Sequence, residues 1–149
     1  ESFYGTKIKD KYLSKLKKVA NILTGNIIFT GYINHNEIAN FYYLCDLCVL
    51  PSVWNEPFGL TILEATLSGI PLITTNAGGI PEVCNKNAIL LENDDNLVRN
   101  LHEKLAEFIK RPDLLIHIRN NNQKINFDDK FNLDNYYLNF IKCLLQKEE

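Results

Sequence analysis

Two glutamates, Glu56 and Glu64, stand with seven residues between them in the stretch "WNEPFGLTILEA" (Trp54 to Ala65). Gly59 lies between them, and the rest of the stretch is almost wholly apolar. From Val19 to Asn85 there is no Lys or Arg. Paired carboxylates suit a ligand rich in hydroxyls, because a carboxylate accepts hydrogen bonds from sugar and ribose hydroxyls, each worth about 1.5–3 kcal/mol net.

A second chemistry lies beside the first. Gly59 precedes a helical pattern, and the start of a helix exposes backbone N–H groups, a ready anion site. Gly78 and Gly79, ahead of a helix start at Ile80, offer another such place. Two N–H nests beside two carboxylates fit a ligand with both phosphates and hydroxyls, which describes a nucleotide sugar. In the helix after Gly59, Leu60, Ile62, Leu63, Ala65 and Leu67 cover most of the circumference, which predicts burial. Thr61, Glu64 and Ser68 share one narrow polar stripe, facing either a thin strip of solvent or a cleft. An acid near a helix N-terminus is also favoured by the dipole alone. His35 reads as a helix-start residue, and Trp54 as either a wall of the cleft or simple packing.

The elements that must hold these residues are legible in outline. Ile27 to Thr30, Leu47 to Leu50, Leu72 to Thr75 and Ala88 to Leu91 are nearly all apolar runs, the pattern of strands covered on both faces. Helical patterns alternate with them: Glu37 to Leu44 with Asn34 or Asn36 as cap, Gly59 to Ser68 ended by Gly69 and Pro71, and a short one near Pro81. That alternation predicts an α/β fold, a Rossmann-like parallel sheet with helices on both faces and right-handed crossovers. Ligands of such sheets bind beyond the carboxyl ends of the strands. The loops there are "GYINH" (Gly31 to His35), "PSVWNEPFG" (Pro51 to Gly59) and "NAGGIPE" (Asn76 to Glu82).

The tail is helical. Asp94 or Asp95 can cap a helix with an apolar face of Leu97, Val98, Leu101, Leu105, Phe108 and Ile109. Pro112 breaks it and begins another, and "NNNQ" (Asn120 to Gln123) reads as a frayed end. A last stripe runs through Leu133, Tyr136, Tyr137, Phe140, Ile141, Leu144 and Leu145. It either crosses to another domain or covers this one's core. The front segment, Lys9 to Ile22, is amphipathic, with lysines on a solvated face.

Bulk properties exclude several classes. At 149 residues, 46 % hydrophobic and 23 % charged, the chain is an ordinary globular domain. A net charge of -2 and the stretch without cations argue against a nucleic-acid groove. No apolar run approaches the roughly 18 residues of a membrane span. The absence of Met predicts a piece of a longer protein, without a signal peptide. Cys45 and Cys48 form a CxxC, but Cys84 and Cys143 are scattered, so a zinc site is disfavoured. Thiols buried in a reducing cytoplasm fit better.

The region "IIFTGYINHNEIANFYYLCDLCVLPSVWNEPFGLTILEATLSGIPLITTNAGGIPEV" (Ile27 to Val83) resembles the family-four retaining glycosyltransferases, which have the GT-B fold. The chain looks like most of their C-terminal, donor-binding half, cut at its N-terminal edge and lacking the acceptor-binding N-terminal domain. The resemblance implies that Glu56 contacts hydroxyls of the donor sugar and that Glu64 binds the ribose hydroxyls. Both would belong to the catalytic site without either being a nucleophile, so glycosidase logic does not carry over. Phe58, Gly59 and Leu60 would offer amides to the sugar and distal phosphate, and Thr61 would lie near the pyrophosphate. Tyr32 and Ile33 would flank the base, while Gly78 and Gly79 would approach the sugar-phosphate end.

The implied reaction is sugar transfer with retention, by front-face substitution in which the leaving phosphate helps deprotonate the acceptor. No cofactor is expected, and no metal, since the cleft loops carry no Asp-x-Asp. The family's Arg and Lys for the leaving group belong upstream, so the isolated chain is expected to be inactive. UDP-sugar is the expected donor and a glycan or lipid-linked glycan the expected acceptor, in polysaccharide biosynthesis of an AT-rich bacterium. The expected location is the cytoplasm, up to a peripheral place at the inner face of the membrane. The alternatives are a non-catalytic nucleotide-binding module of the same fold, or a GT-B epimerase or phosphorylase. A nicotinamide enzyme is disfavoured, because "NAGGIP" does not have the Gly-x-Gly-x-x-Gly spacing.

Overall fold

The computed structural model describes residues 11–84 and 86–124. Contacts divide the chain into two units, Glu1–Ile38 and Ala39–Glu149. The stripe from Leu133 to Leu145, and Cys143 with it, lies outside the described residues.

In the first unit, α1 spans Lys11–Ala20. Its lysines are exposed, as expected, but so are Tyr12, Leu13, Leu16 and Val19. The ammonium of Lys17 sits 5.7 Å from the centre of the Phe29 ring, within cation–π range. Ile27 to Thr30 do not form the expected strand. Ile27, Ile28 and Phe29 are exposed, and no described residue forms a ladder with them. Strand preference records fit to a half-buried, paired surface, and without that pairing the apolar run stays irregular. The helix α2, His35–Leu44, begins one turn after this loop and runs across the boundary between the units. The amide of Glu37 donates to the Asn34 carbonyl at 2.8 Å in its first turn.

The second unit is built on β1 (Cys48–Leu50), β2 (Leu72–Thr75) and β3 (Ile89–Leu91), joined by α3 (Leu60–Leu67) and α4 (Ile80–Val83). The strands lie side by side in chain order and are parallel, with Val49 opposite Ile73 and Ile73 opposite Ile89. Every residue of β2 is buried. Successive side chains point to opposite faces, and each face has its own core. Leu72 packs with Ile62 and Ala65 of α3, Ile80 of α4, and Tyr42, Cys48 and Leu50. Ile73 packs with Leu97 and Phe108 of α5 (Leu97–Lys110), together with Leu114, Leu115 and Ile118 of α6 (Asp113–Asn122). Helices therefore cover both faces of a parallel sheet, the expected Rossmann-like arrangement.

Three local expectations change. Val98 and Ile109 of α5 are exposed, so its buried stripe is narrower and centres on Leu97, Leu101, Leu105 and Phe108. Asp94 acts two residues ahead of the cap: its carboxylate accepts from the Asn96 amide at 2.8 Å, and Asn96 occupies the N-cap. Asn122 is no frayed end. It is 2 % exposed, donates to the Gly69 and Ile70 carbonyls at 3.2 and 3.3 Å, and accepts from Asn87 Nδ2 at 3.0 Å. It ties the end of α6 to the turn that ends α3.

Candidate functional site

The three strands deliver their loops to one edge, and side chains join those loops there. Thr74 Oγ1 donates to the Leu50 carbonyl at 2.8 Å, and Thr75 Oγ1 to the Ser52 carbonyl at 2.5 Å. Past the end of β2, the Asn76 amide donates to the Leu91 carbonyl at 3.0 Å, and Asn76 Nδ2 to Glu92 Oε2 at 2.5 Å. Asn93 Nδ2 reaches the Val53 carbonyl at 3.2 Å. Polar residues that sequence reading passed over, Thr74, Thr75, Asn76 and Asn93, thus fasten the loops after β1, β2 and β3 to one another.

The Glu56 loop lies directly on Gly78 and Gly79. The Gly79 amide donates to the Glu56 carbonyl at 2.7 Å. A Cβ on Gly78 would come within 2.8 Å of both Asn55 C and Glu56 N, and one on Gly79 within 3.1 Å of Pro57 C. Gly78 also has φ +59°, a conformation that side chains rarely adopt. The glycine pair therefore lets two backbones touch. That differs from the open N–H nest expected here, since the Gly79 amide is occupied by the Glu56 carbonyl and the Ile80 amide by the Ala77 carbonyl at 3.3 Å.

The nest at α3 takes the expected form. Gly59 is its N-cap, with φ +81°, and its carbonyl accepts from the Ile62 and Leu63 amides, both at 3.0 Å. The Leu60 and Thr61 amides precede any carbonyl partner inside the helix, so they point outward from a positive dipole end. Burial on α3 is one-sided. Ile62, Ala65 and Thr66 are buried, whereas Leu60 and Leu67 are exposed. Helix α3 is thus not apolar all round in effect: one flank seals the core and the other is open.

Glu64 lies on the half-buried flank, and its partner comes from a residue the sequence did not single out. Tyr42 Oη lies 3.5 Å from Glu64 Oε2 and 3.4 Å from the Thr61 carbonyl, two acceptors for its one proton. Partial burial pushes the Tyr42 phenol up to about 12, helped by the neighbouring Cys48 and the Glu64 carboxylate. Nothing in "NFYYLC" distinguishes Tyr42 from Tyr43 except phase: Tyr42 falls four residues after Ile38, on the half-buried face, while Tyr43 is exposed.

The remaining expected residues are placed as follows. Glu56 and Gly59 are half-buried, and Phe58 and Trp54 are exposed, so Trp54 is not packing in the core. Tyr32, exposed, and Ile33, half-buried, belong to the first unit. His35 is the first residue of α2. Cys45 is exposed rather than buried; Cys48 is half-buried, Cys84 is buried, and all three are free thiols. Burial, followed by the nearby Cys45, raises the Cys48 thiol to about 11. Among the described residues, no group of three or more His, Cys, Asp or Glu could hold a metal ion. No described helix is long and apolar enough to cross a membrane.

The family model of the glycosyl transferases group 1 matches residues 3–125. The chain belongs to this family. Among its relatives is the Bacillus subtilis protein YtcC, named as a glycosyltransferase, 34 % identical over 105 residues that make up 70 % of this chain and 24 % of YtcC. Glycogen synthase of Mycobacterium tuberculosis is 46 % identical over 54 residues, 36 % of this chain and 13 % of the enzyme. The GDP-mannose-dependent alpha-(1-6)-phosphatidylinositol monomannoside mannosyltransferase of the same species is 29 % identical over 106 residues, 66 % of this chain and 28 % of that protein. The chain spans about a quarter of the length of the curated relatives it matches. In this glycosyltransferase chain, the joined loops and the N-terminus of α3 are the natural candidate for the donor site, because ligands of parallel sheets bind beyond the strands' carboxyl ends.

Proposed function

We propose that this chain is the donor-binding half of a retaining glycosyltransferase that takes a sugar from a nucleotide sugar, preferably a UDP-sugar. The Leu60 and Thr61 amides open α3 beside the Glu56 loop, and Glu64 follows one turn along the same helix. Amides at a helix N-terminus take phosphate oxygens, and a carboxylate one turn on takes hydroxyls. A pyrophosphate on α3 would put its ribose toward Glu64 and its sugar toward Glu56 and Phe58.

In this reading the chain binds and orients the donor. The α3 amides stabilise charge as it develops on the leaving phosphate, which in turn takes the acceptor's proton during front-face substitution. Glu56 holds the sugar through its hydroxyls and forms no covalent bond. Gly78 and Gly79 act from behind, by letting the Glu56 loop come close. Tyr32 and Ile33 flank the base. No metal or cofactor takes part. The acceptor is a glycan or lipid-linked glycan brought by a separate domain, at the cytoplasmic side of a membrane.

Calorimetric titration with UDP, GDP and ADP tests this, each repeated on Glu64→Ala. One nucleotide should bind selectively, and the substitution should weaken it about tenfold, or about 1.4 kcal/mol. A GDP preference would transfer the reading to GDP-sugars, the donor class in one relative's name. Binding unaffected by Glu64→Ala would remove the ribose from Glu64.

A further inference from the structure

We propose that Tyr42 is a positioning residue for the donor site: its hydroxyl, held at the Thr61 carbonyl and the Glu64 carboxylate, fixes the rotamer with which Glu64 meets the donor's ribose. This rests on the donor reading above.

A glutamate side chain has three rotatable bonds, and holding it in one arrangement costs conformational entropy. A carboxylate that must accept two neighbouring hydroxyls gains if that cost is met before the ligand arrives. Tyr42 is suited to the task. It comes from a different helix, α2, so it fixes Glu64 against the rest of the second unit and not merely within α3. Its ring packs against the core formed by Ile62, Ala65 and Leu72, which limits its own motion. Its Oη lies 3.4 Å from the Thr61 carbonyl, so the phenol is placed even when Glu64 moves. A phenol has one proton to give, so Glu64 Oε2 and the Thr61 carbonyl share it or compete for it. Ligand hydroxyls arriving at Glu64 would compete for the same lone pairs, so Tyr42 also limits which carboxylate oxygen faces them.

The titratable groups around the phenol are Glu64 and Cys48. The thiol at Cys48, raised to about 11 mainly by burial, stays protonated at neutral pH.

The test is Tyr42→Phe on the full chain, which keeps the ring in the core and deletes only the hydroxyl. Beside this substitution, two measurements test the proposal. The first is the alkaline titration of Tyr42, followed by NMR of 13C-labelled tyrosine and repeated in Glu64→Gln. With the carboxylate neutralised, the phenol should titrate lower; an unchanged titration would show that the two groups do not interact and would overturn the proposal. The second is nucleotide affinity with the ribonucleotide and with its 2′,3′-dideoxy form. Tyr42→Phe should weaken the ribonucleotide roughly three- to tenfold and leave the dideoxy form unchanged, because only the former needs an oriented Glu64. In Glu64→Ala, adding Tyr42→Phe should then have no further effect. Equal weakening of both nucleotides would assign Tyr42 a purely structural role. If the unmodified chain failed to distinguish the two nucleotides, the ribose reading of Glu64 would fall, and the positioning role with it.

Discussion

Gly78 holds φ +59° while its Cα faces the backbone of Asn55 and Glu56, so it meets two independent constraints at once. A left-handed backbone costs a non-glycine residue about 1–2 kcal/mol. Gly78→Ala adds a Cβ against backbone atoms that cannot rotate away. The expected loss is at least about 2 kcal/mol of unfolding free energy, read from the urea midpoint. If the Glu56 loop yields instead, that loss should appear in nucleotide affinity. At this scale the sequence was half legible. Glu56, Glu64 and Gly59 stand out by type and spacing. The Gly78–Gly79 pair also stands out, but its reason, the backbone of Asn55 to Pro57 laid upon it from an earlier loop of the chain, is a tertiary fact. Tyr42 was not legible, because a tyrosine among three aromatic residues on a helix carries no local mark of its partner.

Elements were easier to read than their ends. β2 runs over the expected Leu72 to Thr75, and β1 and β3 each lose one residue from the expected run. Continuous apolar runs serve strands covered on both faces, and the two separate cores explain why those runs read so clearly. Ile27 to Thr30 had the same composition without becoming a strand, since pairing, not composition, makes one. The Asn120 to Gln123 stretch shows the opposite error: a polar run was read as loose, though Asn122 is buried with its amide satisfied on both sides. Asn122→Ala would strand the Gly69 and Ile70 carbonyls and Asn87. We expect a destabilisation of about 2–3 kcal/mol by chemical denaturation, with faster amide exchange in α6 and in the turn after α3. A substitution within ±0.5 kcal/mol would show that Asn122 contributes no tie between these elements.

On the scale of the whole molecule, the second unit carries a parallel sheet, its helical covers and most of the candidate donor residues, while Tyr32 and Ile33 belong to the first. The family match runs across both units, from residue 3 to residue 125. The proposed nucleotide position is the N-terminus of α3, between the Glu56 loop and Glu64. Mapping of backbone amide shifts tests it most directly, with the chain titrated by whichever of UDP, GDP and ADP binds. The largest shifts are expected at Phe58 to Thr61 and at Glu56 and Glu64, with smaller ones at Gly78 and Gly79, and none along the outer faces of α5 and α6. Shifts centred on α5 and α6, or none at these residues at saturating nucleotide, would contradict it.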